Sequence, residues 1–323
     1  TATNWSGNAV PGSGDDVIIP SGVNNFPTIS STVTIKSLNI NASAELTVSL
    51  DGTLKVNNSS SVGIQVTGTL TNLGIIQINN TGGTALSISG SANAIAYLYG
   101  DTDIGNNGSI RGAGIYVDGG ALEIDKDSDV NADLTPTVNI NNVTGNGISC
   151  INGTVTIDEN PYGSFEPTVT VNIGTLDTIG NIGIANTGSF DLLEGTINIG
   201  VTISRGVINT TVGINDGYFK LGTDGKLNIG SAGSSIGNHG LENDPGCTVD
   251  NSGTITIRNV NNHGIQNEGI FTQAGSGMLF IDQVTLNGIT SAINTSFTNH
   301  GTIKIGNSAT VEETGIDNKS AFT

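Results

Sequence analysis

The chain has 323 residues, of which 47 are Gly and 40 are Asn, and a helix built from such residues is poor: Gly costs about 1 kcal/mol per interior position relative to Ala, and Asn is little better. This composition disfavours a helical bundle, a coiled coil or a doubly wound α/β enzyme, while a 35% hydrophobic content argues against disorder. Twenty-eight carboxylates against ten Lys and Arg give a net charge of −18, which argues against nucleic acid and anionic membrane surfaces as partners.

The N-terminal segment differs from all that follows. It holds Trp5, Gly7, Val10-Pro11, Gly14-Asp15-Asp16-Val17-Ile18-Ile19-Pro20 and Gly22. No charged-then-apolar leader precedes it, so a signal peptide is expected to have been removed or left out. The segment resembles the opening of large secreted bacterial surface proteins, where a W…G…VP…GDDVIIP signature begins a β-helical, pectate-lyase-like solenoid. The resemblance runs from Trp5 to Gly22 and implies an extracellular or cell-surface location. Trp5, Pro11, Asp15 and Asp16 are expected to cap the first coil. Residues 1–30 are taken as this cap and first coil, and residues 31–323 as one continuous repeat domain.

Beyond the cap, one phrase recurs: Gly, any residue, aliphatic, any residue, aliphatic. It starts at Gly52, Gly74, Gly120, Gly153, Gly195, Gly225, Gly253, Gly277 and Gly301. Most neighbouring anchors are one short, similar interval apart, and the interval between Gly74 and Gly120 is the longest. That long interval reads as two units with one anchor lost, so the period is roughly 22 to 30 residues. A second phrase, Gly-aliphatic-x-Asn (or Asp), falls between the anchors at Gly183, Gly213, Gly240 and Gly264. Gly and Asn are expected at corners because they tolerate left-handed backbone. The alternation points both aliphatics of each phrase to one face, and stacked units bury that face in a continuous column. Three short strands per unit predict a right-handed parallel β-helix, an all-β solenoid of roughly 13 coils advancing about 4.8 Å each. A propeller blade needs about 40 residues, and a sandwich has no reason to repeat its glycines.

Candidate chemistry is sparse along this rod. Tyr97, Tyr99, Tyr116, Tyr162 and Tyr218 are the available sugar platforms. Asp125, Asp127, Asp129 and Asp133 alternate along one segment, a density compatible with Ca2+. The EF-hand pattern fails there, since Val130 and Pro136 stand where Gly and Glu belong, and a solvated loop is the plainer reading. Cys150 and Cys247 are separated by some four coils, too far for the roughly 7 Å Cα limit of a disulfide. His239, His263 and His300 all follow Asn and precede Gly. His239 and His263 are one period apart and are expected to stack on adjacent coils about 5 Å apart. No third ligand is set by spacing, so the tripeptide reads as a corner and not as a metal site. The last coil runs to Thr323, where open strand edges favour head-to-tail pairing with another copy.

Pectin-cleaving β-helices carry paired Asp, Gly-His-Gly and Arg-x-Lys clusters. Here Asp15-Asp16 lies in the cap, Asn-His-Gly stands in place of Gly-His-Gly, and Arg258 is alone. A Thr-x-Thr ice-binding ladder fares no better, because Thr154/Thr156 and Thr254/Thr256 alternate with units carrying Lys, Glu, Met and Phe. The expectation is a structural protein without catalysis or cofactor, acting as a filament subunit or adhesin rod. Its partners are copies of itself and, secondarily, surface glycans. The alternative is a carbohydrate-binding or polysaccharide-modifying β-helix.

Overall fold

A computed structural model describes residues 5–125, 134–158, 169–231 and 234–319, and the backbone of 321–322. Among these residues there is no α-helix; the chain is a parallel β-helix. Three sheets run the length of the rod, two of twelve strands and one of eleven. The first sheet begins with Asp16–Ile19 and Ser37–Ile40, the second with Thr28–Ile29 and Glu45–Val48, and the third with Thr32–Ile35 and Thr53–Asn57. Each coil but the last contributes one strand to each sheet, and successive coils pair in parallel. A column of single parallel bridges, from Thr81 and Ile110 to Val284 and Val311, adds a fourth line of contact at the corner between third and first sheets.

The stack comprises about 12 coils, against the roughly 13 expected. The difference lies in coil length. In the first sheet the register steps from Asp16 to Ser37 in a short coil but from Ile148 to Ile184 in a much longer one. At about 4.8 Å per coil the rod is on the order of 55 Å long.

Alternation fixes what goes inside. In the third sheet Val171, Ile197, Leu227, Ile255 and Leu279 stack in register, each fully buried. In the second sheet Phe190 and Phe219 stack with centroids 5.0 Å apart, and Phe271 and Phe297 with centroids 4.6 Å apart. The rings of each pair are nearly parallel, because equivalent positions of successive coils present similar backbone.

The repeat anchors divide between two corners. Gly52, Gly74, Gly195, Gly225, Gly253, Gly277 and Gly301 precede third-sheet strands, whereas Gly120 and Gly153 precede second-sheet strands. The long interval between Gly74 and Gly120 does hold an intervening coil, as expected, but it also includes a change of corner. The third-sheet strand of that coil is Asp101–Ile104, which follows Gly100 and whose inward residues are Thr102, in place of an aliphatic, and Ile104. The reason for glycine is also different. Only Gly195 of the nine has positive φ. At the other eight a Cβ would press on a carbonyl oxygen of the preceding coil, as at Gly153, where it would lie 2.6 Å from the Gly120 oxygen. Left-handed backbone instead falls on other residues, including Asn58, Asn80, Asn142, Asn259 and Asn294.

Candidate functional site

Two asparagine ladders tie the coils together through side chains. At the corner between first and second sheets, Asn186, Asn209, Asn243 and Asn267 are fully buried. The Asn186 amide donates to Asn209 Oδ1 at 2.8 Å, Asn209 to Asn243 at 3.0 Å, and Asn243 to Asn267 at 2.8 Å. Each also donates to a backbone carbonyl of the next coil, Tyr218, Thr248, Ile270 and Ser296 in turn. The sequence phrase at Gly213 does not belong to this column. Gly213 lies in an antiparallel hairpin, Thr211–Val212 with Asn215–Asp216, and the true member is Asn209.

A second ladder lies on the outer face of the third sheet. Asn228 donates to Asn198, Asn198 to Asn172 and Asn172 to Asn139, each at 3.0 Å. Asn139 ends the series on the Asp103 carboxylate at 2.9 Å. Neither ladder requires a ligand to satisfy it.

Among the described residues, an ionisable cluster lies on the first sheet. Arg205, His239 and His263 precede the corner glycines of three successive coils, and Glu242 points outward from the strand Leu241–Asn243. The Arg205 guanidinium Nε donates to Glu242 Oε2, and its Nη1 donates to Ser204 Oγ at 3.2 Å. His239 Nε2 lies 3.9 Å from the same carboxylate. The His239 and His263 rings stack with centroids 5.3 Å apart and an interplanar angle of 3°, as their one-period spacing predicts. His263 Nδ1 faces the Asn287 N–H and the Thr290 hydroxyl, both at 3.3 Å, whereas His239 Nδ1 is buried without a hydrogen-bond partner. Burial lowers the His239 proton affinity, helped by His263 and Arg205, to a pKa of about 4. Burial also lowers His263, against the pull of Glu313 and Asp317. Burial raises the Glu242 carboxyl, although Arg205 opposes it. His239 is 6% exposed and Glu242 8%. His239 and Glu242 are thus withdrawn from solvent, while Arg205 and His263 are half-buried at the edge of the cluster.

Other sequence candidates are dispersed. His300 is exposed at a different corner. Asp125 is half-buried at the end of Ala121–Ile124, while Asp127, Asp129 and Asp133 lie outside the described residues, as does Tyr162. Among the described residues no three His, Cys, Asp or Glu side chains form a metal-binding group. Cys150 and Cys247 are free and buried. They stand three coils apart, not four, because long coils intervene. Burial pushes their thiols up to about 12 and about 11. Trp5 packs on the core, Pro11 is half-buried, Asp15 accepts from the Gly12 N–H at 2.8 Å, and Asp16 pairs with Lys36 at 2.9 Å. Thr154/Thr156 lies on the second sheet and Thr254/Thr256 on the third, so these pairs cannot share one plane.

The tyrosines gather mainly on the second sheet with carboxylates. Tyr97 and Tyr99 stack at 5.5 Å, and Tyr99 donates to Glu123 at 3.4 Å. Tyr218 donates to Asp250 at 2.8 Å, and burial followed by Asp250 pushes its phenol up to about 12. Tyr116 sits on the first sheet and donates to Asp118 at 3.2 Å. The chain matches no protein-family model and no curated protein.

Proposed function

We propose that the chain is a structural rod working outside the cell, as the subunit of a filament or the shaft of a surface adhesin. One observation carries this reading: side chains inside and outside the rod are committed to contacts between successive coils. The buried asparagine ladder, the outer asparagine ladder and the stacked phenylalanines all join one coil to the next. Such a stack resists bending because every backbone and side-chain ladder deforms together. Parallel stacking along an axis also lends itself to continued pairing with another copy, a heterologous contact that yields filaments when it does not close. The extracellular setting is supported by the N-terminal resemblance and by an acidic surface that favours solubility.

Negative-stain microscopy of the purified chain tests the role. Fibres of uniform width are the expected result. Particles that stay monodisperse at all concentrations and bind a glycan array would overturn the filament reading. They would favour the alternative, a carbohydrate-binding β-helix, for which the Tyr97–Tyr99 stack beside Glu123 is the supporting observation. On that reading Tyr97→Ala and Tyr99→Ala together abolish glycan binding.

A further inference from the structure

We propose that the stacked His239–His263 pair, set against the Arg205–Glu242 ion pair, makes this part of the rod an acid-sensitive joint. The geometry brings two imidazoles to 5.3 Å in parallel planes on neighbouring coils. His239 is buried, and its Nδ1 has no hydrogen-bond partner. A proton placed there adds a charge that the site cannot hydrate. Protonating both rings sets two cations face to face, with the Arg205 guanidinium beside them.

The surrounding charges do not all act in one direction. Arg205 on the N-terminal side disfavours imidazolium at His239. Glu313 and Asp317 on the C-terminal side favour it at His263, and Lys319 partly screens Asp317 at 3.7 Å. Glu242 faces His239 directly, but its charge is engaged by Arg205. Asp244 raises the Glu242 proton affinity further, and Glu268 is held by Gln266 at 2.7 Å. Burial is the largest influence on both rings and lowers both.

The consequence for stability has a definite sign. An imidazole that binds protons less well in the folded chain than in the unfolded one contributes fully above about pH 6.5. That contribution is withdrawn as pH falls toward about 4, the value for His239. Glu242, whose carboxyl is raised, takes up a proton more readily when folded and works the other way. From His239 alone, the unfolding equilibrium constant is expected to rise on the order of 20-fold between pH 7 and pH 5.

The test compares thermal unfolding at pH 7 and pH 5 for the full chain and for the double variant His239→Gln/His263→Gln. The wild type is expected to lose more stability on acidification than the variant, by about that factor. Equal losses would overturn the proposal. A second measurement covers the case in which the variant fails to fold. Imidazole resonances of the wild-type chain are followed by NMR from pH 7 to pH 4. The His239 ring is expected to remain neutral at pH 5.5, and a midpoint near 6.5 for both rings would sink the idea.

Discussion

At the residue scale the asparagines carry the specificity of the stack. A buried polar group without a partner costs about 1–3 kcal/mol, so an interior Asn is tolerated only when its bonds are made. Asn209 meets this condition through Asn186, Asn243 and the Gly217 and Thr248 carbonyls. Asn209→Ala removes donors from two buried carbonyls and interrupts the ladder at its middle. It is expected to cost about 3 kcal/mol, read as a shift in the urea midpoint at unchanged slope. The sequence phrase Gly-aliphatic-x-Asn makes all four members legible, since Gly206-Val207-Ile208-Asn209 fits it as fully as the units ending in Asn186, Asn243 and Asn267. The misleading match is the one at Gly213, which ends in Asp216 and falls in the hairpin inserted one corner later. The stacked histidines are legible from their one-period interval. The Arg205–Glu242 pair is not, because a long coil that carries the hairpin separates its members.

At the element scale, strands that alternate aliphatic and polar residues behind a glycine are found directly. Those without one of these marks are not. Thr137–Ile140 and Thr170–Ile173 are third-sheet strands preceded by Pro136 and Val169 in place of Gly. They read Thr-Val-Asn-Ile, and their outward Asn residues build the outer ladder. Their signal lies in the partnership between coils, which a single pass along the chain does not display. The hairpin makes the same point in reverse. It is inserted between Thr210 and Gly217, and those residues are themselves bonded, Gly217 N–H to the Thr210 carbonyl at 3.2 Å. Without it the corner would read Asn209-Thr210-Gly217, matching Asn186-Thr187-Gly188 of the preceding coil. Ile214 at its tip is 97% exposed. Deleting residues 211–216 is therefore expected to leave the melting temperature within a few degrees of wild type. Circular dichroism on heating checks this, and a collapse of the transition would show that the hairpin is needed for folding.

At the scale of the whole molecule, stability is a sum of contacts between neighbouring coils. Residues 264–287 form one such unit, since Gly264 and Gly288 are register-equivalent and the Gly264 N–H and Ile265 N–H bond the next coil as the Gly288 and Ile289 N–H groups do. Removing this unit joins His263 to Gly288 and preserves every corner type. The shortened chain is expected to fold, to keep its β-sheet spectrum and to unfold at a modestly lower temperature. Loss of all cooperative unfolding would show that the coils are not interchangeable.

The same ladders determine how the rod answers a pull. Backbone hydrogen bonds between coils lie along the rod axis, so tension applied through the chain ends meets them one coil at a time, as in peeling, and never all at once. Each coil that lets go frees roughly 70 to 120 Å of extended chain, in exchange for about 4.8 Å of rod. A rod built this way lengthens many-fold at its ends before its middle is disturbed, yielding coil by coil.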